Sequence, residues 1–242
     1  MLRRRDLLKV GMLASVGLPG LAIADTRVLQ VARGSRLSSL AQGGASGLAT
    51  TPSAALTELL AGNQRYLDGD SDEVRRMADR REAVAAKQEP FATIVSCSDS
   101  RVPPEIVFDH GLGDLFVVRT AGHVVDAAAL GSIEYAADHL HTPIIMVLGH
   151  KACGAVAAAV EAVQGRDVPA YLYRLIAEIG PAAAVGLAQE GDPVENAVRA
   201  NVQETVAELS ESRPILAGLI ERGLLGIVGA YYDLDTGEVS LV

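Results

Sequence analysis

The spacing of apolar residues changes along the chain, and the changes divide it into elements. Leu56, Leu59, Leu60 and Leu67 recur at helical spacing behind a Thr51-Pro52 pair, which reads as a cap with proline in the first turn. This predicts a helix from about 52 to Gly69. A second, heavily charged helix is expected from about Asp72 to Lys87, at the surface or between subunits. The period then shortens. "FATIV" (91–95), "LFVVR" (115–119), "IIMVL" (144–148) and "GIVGAYY" (226–232) are short apolar runs rich in β-branched residues, and they read as buried strands. The stretches "VDAAALGSIEYAADHL" and "GAVAAAVEAV" return to a helical period. Residues 168–222 read as mostly helical, with breaks expected at Gly180-Pro181, Gly191-Asp192-Pro193 and Arg213-Pro214. The close, "YYDLDTGEVSLV", reads as a strand, an Asp-Thr-Gly turn and a short last strand. Strands alternating with helices predict an α/β fold, with a parallel β-sheet core flanked by helices on both faces.

Composition adds limits. The chain has 242 residues, 49% hydrophobic and 21% charged, an ordinary globular balance with ample length for a core. It lacks Trp and has few aromatics, so that core must be mostly Ala, Val, Leu and Ile. Residues 1–24 have a basic start, an apolar stretch from Val10 to about Ile23, and "AIA" before Asp25. They are expected to be a signal peptide, too short for a comfortable membrane span. Arg4-Arg5 followed by "DLLK" resembles a twin-arginine signal, so the protein is expected to be exported folded, to the periplasm or beyond. Residues 25–50, rich in Gly, Ser and Ala, are expected to be a flexible arm, and 51–242 the functional domain. The net charge of −9 becomes −12 once the cationic leader is removed. Such an acidic surface argues against nucleic acid and anionic membrane as partners. No later segment is long and apolar enough to span a bilayer.

The chain has only two cysteines, and both stand at strand ends. "SCSDSR" follows the 91–95 run and carries Cys97, Asp99 and Arg101. "GHKACG" follows the 144–148 run and carries His150 and Cys153. Ligands in open α/β sheets bind beyond the carboxyl ends of strands, so neighbouring strands would bring Cys97, His150 and Cys153 together. Two thiolates and an imidazole are a zinc donor set, and Cys153 opens a helix, where a thiolate is favoured. The fourth position would take either water or Asp99. Zinc lowers the pKa of its water to near 7, and Asp99 beside Arg101 would orient that water. A disulfide between the two cysteines is the plain alternative in an exported chain, but it leaves Asp99, Arg101 and His150 unused.

"CSDSR" with "HKACG" some fifty residues later resembles the β-class carbonic anhydrases, whose motifs are C-x-D-x-R and H-x-x-C. The resemblance runs from about residue 52 to the C-terminus and includes "DSRVPPEIVFDHGLGDLFVVRTAGH", "GSIEYAADHL" and "IVGAYYDLDTG". It implies one zinc per subunit on Cys97, His150 and Cys153, with Asp99 as a conditional fourth ligand and Asp99 and Arg101 as the catalytic dyad. It implies an N-terminal helical arm that wraps a partner subunit, in a homodimer or a dimer of dimers. It also implies a substrate pocket. Gln88 would hydrogen-bond bicarbonate across the dimer interface, Phe116, Ala121 and Tyr135 would form the apolar wall, and the Gly154 N–H would face substrate. Some bacterial members hold an inhibitory bicarbonate against a Trp three residues before the first cysteine ligand. Ile94 stands there in this chain, so that pocket is not expected in its known form. Arg119 is read as structural. His139 and His141 are expected at solvent or a helix end, and His110 and His123 are secondary candidates for proton transfer.

The expected function is reversible hydration of CO2 to bicarbonate and a proton by zinc-bound hydroxide, which makes the chain a zinc lyase. Three alternatives stand beside it: a CS2 or COS hydrolase of the same fold, a non-catalytic zinc- or bicarbonate-binding protein, and a thiol-redox protein using Cys97 and Cys153.

Overall fold

The β-branched runs form the sheet that their composition predicts. The computed structural model describes residues 49–71 and 77–242, so the leader at 1–24 and nearly all of the arm at 25–50 lie outside the described residues. Four strands are parallel: β1 (Ala92–Cys97), β2 (Leu115–Thr120), β3 (Ile144–His150) and β4 (Gly226–Tyr232). The short β5 (Val239–Leu241) returns antiparallel to β4 after the Asp-Thr-Gly turn. The sheet is therefore mostly rather than wholly parallel, in the order β2-β1-β3-β4-β5.

Helices cover both faces. Helix α1 (Pro52–Asp68) has the expected start, with the Thr51 hydroxyl accepting from the Ala54 N–H at 3.3 Å. Its buried Leu56 and Leu59 share a core with Ile94, Phe108, Met146 and Leu148. Buried Asn63 joins three segments there. Its Nδ2 donates to the carbonyls of Val107 and Gly237, and its Oδ1 accepts from the Val239 N–H. On the other face Val95, Ile145 and Val147 pack against α4 (Ala127–Asp138), α7 (Pro193–Glu211) and α8 (Ile215–Glu221). Period-2 alternation along β1 and β3 thus feeds two cores.

Two expectations on helices need correction. Gly180-Pro181 does not break the chain but lies within α6 (Tyr173–Leu187). Gly180 has no Cβ to clash with the proline ring. The carbonyl that Pro181 leaves unpaired belongs to exposed Ala177, where water can meet it, and buried Ile179, Ala182 and Ala183 hold the helix. The charged helix α2 (Met77–Ala83) ends four residues before Lys87, and residues 72–76 lie outside the description. Among the described residues no helix is long and apolar enough to cross a membrane.

The strand order fixes where a ligand can sit. From β1 the chain crosses to β2 on one side and then to β3 on the other. The crevice between the carboxyl ends of β1 and β3 is therefore the topological switch point. Cys97 ends β1 and His150 ends β3.

Candidate metal centre and active site

Three donor atoms meet in that crevice. The ligand atoms of Cys97, His150 and Cys153 all lie within 4.8 Å of one another, and all three residues are buried. The thiols are free, with 3.9 Å between sulfurs, about twice the length of a disulfide bond. Cys153 stands at the N-terminus of α5 (Gly154–Val163), as its sequence position implies. The two thiols share a hydrogen bond in which either sulfur can donate, and that contact, with His150 and the Gly122 N–H at 3.3 Å assisting, lowers Cys97 to about 3 against its burial. The same contact, with burial, pushes Cys153 up.

His150 is oriented for ligation. Its Nδ1 lies 2.9 Å from the Lys151 carbonyl, which fixes the tautomer with Nδ1 protonated and leaves Nε2 with a lone pair. That Nε2 is fully buried and has no hydrogen-bond partner. An orphaned buried acceptor between two sulfurs fits a soft or borderline cation, and the Cys2His set fits zinc.

The acid and the guanidinium are also in place. Arg101 donates to both carboxylate oxygens of Asp99, through Nε at 2.9 Å and Nη2 at 2.8 Å, and its backbone N–H adds a third bond at 2.9 Å. These bonds hold Asp99 well below the usual carboxylate range. Asp99 Oδ2 stands 3.9 Å from His150 Nε2, so the ionised carboxylate borders the donor set without occupying it. Its side chain is 17% exposed and that of Arg101 54%, so the dyad opens toward solvent while the ligands stay buried. Sequence reasoning left Arg119 with a vague structural role, and the geometry makes it specific. Its Nε donates to the Cys97 carbonyl at 2.8 Å and its Nη2 to the Asp99 carbonyl, so one side chain fixes the backbone of a ligand and of the dyad together.

The remaining pocket residues divide into two groups. Ala121 follows Thr120, the register partner of Cys97, and exposed Gly154 directly follows Cys153, so both are at the site. Gln88, Phe116 and Tyr135 are not brought to it within the chain. Gln88 is exposed on the segment leading into β1, whose six residues separate its start from Cys97 by about 16 Å. Phe116 pairs with Thr93 near the start of the strand, and its ring is 6.2 Å from that of exposed Tyr135. Ile94 is wholly buried in the core. Both secondary histidines are buried. His110 packs its ring 4.7 Å from Phe91, at the opposite end of β1. Burial lowers both to about 4, leaving them neutral near pH 7. His139 caps α4 and stacks on Tyr135 at 4.9 Å, and His141 is exposed, as expected.

Known proteins share this arrangement. The family model described as carbonic anhydrase matches residues 92–239, which span the four parallel strands and the whole donor set. Carbonic anhydrase 2 of Mycobacterium tuberculosis is 44% identical over 193 residues, covering 79% of this chain and 93% of its own. The carbonic anhydrase of Mycolicibacterium smegmatis is 42% identical, covering 79% and 94%. Among solved structures, the β-carbonic anhydrase CcaA superposes with a TM-score of 0.62 at 27% identity, over 77% of this chain and 94% of that one. The Coccomyxa β-carbonic anhydrase gives 0.60 at 27% identity, over 77% and 86%. With the donor triad and the Asp99–Arg101 pair at the sheet's switch point, and relatives matching over most of its length, the chain belongs to the β-class carbonic anhydrases.

Proposed function

We infer that the Cys97–His150–Cys153 cluster holds one zinc ion and that the chain interconverts CO2 and bicarbonate there, as an exported homodimer. One observation carries the catalytic reading: a charged, immobilised carboxylate stands 3.9 Å from the orphaned His150 Nε2, and a purely structural metal site has no use for it. When bound, zinc would supply Lewis-acid chemistry that makes water ionisable near neutral pH.

The chain's own residues do the rest. Arg101 keeps Asp99 ionised and fixed, so the carboxylate accepts a hydrogen bond from the reacting water and aims its lone pair at the carbon of CO2. Arg119 keeps the Cys97–Asp99 backbone rigid during that step. The Gly154 N–H, in the first turn of α5, is free to donate to a product oxygen, and the helix dipole there favours an anion. Half-buried Ala121 gives CO2 a small apolar contact beside the site.

A second subunit would complete the pocket. Gln88, Phe116 and Tyr135 stand away from their own chain's donor set, and β2 is an edge strand with half-exposed residues. Both features support a pocket wall supplied across a dimer. Export to the periplasm rests on the leader pattern of residues 1–24.

The test is to prepare the chain from Asp25, measure zinc per subunit, and follow CO2 hydration by stopped flow from about pH 6.5 to 9. About one zinc with fast hydration is expected. A full zinc complement without hydration would overturn the enzyme assignment in favour of CS2 or COS hydrolysis, or of simple binding.

A further inference from the structure

We propose that Asn201, on α7, is a positioning residue for the Cys97 thiolate, acting through the 3₁₀ turn Ala121–His123. The inference rests on the reading of Cys97 as a zinc ligand. The Gly122 N–H donates to the Cys97 sulfur at 3.3 Å, so the pose of this turn sets one of the polar contacts on that ligand.

The turn does not hold itself. Gly122 has φ +64° and His123, with a full side chain, has φ +48°. Two successive left-handed residues persist only where the surroundings impose them. Asn201 imposes them from 78 positions away in sequence. One Nδ2 hydrogen goes to the Gly122 carbonyl at 3.0 Å and the other to His123 Nε2 at 2.8 Å. Both acceptors face the same nitrogen. A flipped amide would set its oxygen against the Gly122 carbonyl, so the orientation of Asn201 is determined. His123 must then carry its proton on Nδ1.

Packing closes the remaining freedom. Asn201 and His123 are both buried. A Cβ on Gly122 would sit 2.6 Å from Ile179 Cδ1 and 3.2 Å from Ala155 Cβ, so the turn is wedged between α5 and α6. The path therefore runs from α7 through the Asn201 amide and the Gly122 peptide to the Cys97 sulfur. An N–H donated to a thiolate withdraws charge from it. That makes the sulfur a weaker donor and leaves a bound cation more acidic.

Cobalt(II) in place of zinc reads the sulfur directly, through its thiolate-to-metal charge-transfer band. The full chain would be compared with Asn201→Leu, which removes both donors at similar volume, and with the smaller Asn201→Ser should the leucine variant not fold. Thr205→Val is the control, since Thr205 is buried one turn further along α7 and bonds only the Asn201 carbonyl. The Asn201 variants are expected to shift the band to lower energy, because the sulfur loses its N–H donor, and to bind zinc about 10- to 100-fold more weakly in chelator competition, because the freed turn no longer holds the ligand in place and this loss outweighs the gain in donor strength. Thr205→Val is expected to lose stability while keeping the band and the affinity. Asn201 variants with the wild-type band and affinity would reduce Asn201 to packing and overturn the proposal. A wild-type chain that takes up cobalt with no thiolate band would overturn the zinc reading itself, and this inference with it.

Discussion

Arg101 grips Asp99 at both carboxylate oxygens, and the gripped carboxylate stands 3.9 Å from His150 Nε2. On the proposed reading this arrangement separates two jobs: the buried Cys and His residues would hold the metal, and the more open pair would position the reacting water. Asp99→Asn keeps size and removes the charge. It is expected to retain about one zinc per subunit while lowering kcat by 100-fold or more, within the usual range for a lost proton acceptor. Stopped-flow hydration with metal analysis on the same sample checks this. Wild-type turnover would remove Asp99 from the mechanism.

Arg119 makes a sharper test of geometry than of charge. Its fork spans the Cys97 and Asp99 carbonyls, which a lysine cannot do. Arg119→Lys preserves the positive charge but is expected to cost 10- to 100-fold in turnover or zinc affinity. Unchanged values for both would mean that charge alone suffices.

The proposal that a partner subunit completes the pocket is open to a complementation test. Gln88→Ala and Cys153→Ser are each expected to be weak or inactive as homodimers. In a mixed dimer, one site would combine an intact Cys153 with the partner's intact Gln88. Refolding the two variants together is then expected to restore up to half of the wild-type activity per hybrid dimer. No gain on mixing would place Gln88 outside the partner's site.

Acid sensitivity follows from the buried histidines. His110 and His123 both titrate near 4 in the folded chain, below the ordinary value of about 6.5, because burial disfavours their charged forms. The unfolded chain therefore binds more protons between those values. Their stabilising effect is complete above about pH 6.5 and is lost as pH falls toward 4, at up to about 1.4 kcal/mol per pH unit for each histidine. Urea unfolding at several pH values is expected to show this slope, shallower in His110→Gln. An identical slope in that variant would exclude His110 as a contributor.

The sequence was most legible where chemistry and periodicity coincide. Cys97, His150 and Cys153 could be placed because each lies within a few residues of the end of an apolar run, and strand ends are where α/β sheets bind ligands. The polar residues that brace the fold and the site were hidden for a common reason. Asn63, Arg119 and Asn201 all act on backbone carbonyls in segments distant in sequence, and a carbonyl leaves no mark on the sequence. Asn63 reads as one more position on an amphipathic helix, and Asn201 as an ordinary polar residue on another. Gly180-Pro181 misled in the opposite direction. The dipeptide is a strong local breaker, but the apolar side chains around it are buried deeply enough to keep the helix.

The order in which the chain is made gives the donor set a chronology. Cys97 is synthesised first, then β2 and α4, and only afterwards His150 and Cys153, with 56 positions separating the two sulfurs. A nascent chain that has reached only β2 has one thiol and nothing to share it with. The three donors stand together only once β3 has docked beside β1, so an ion that needs all three would be held only then. An ion held there would tie the ends of those two strands together, so its binding and the pairing of β1 with β3 would each favour the other.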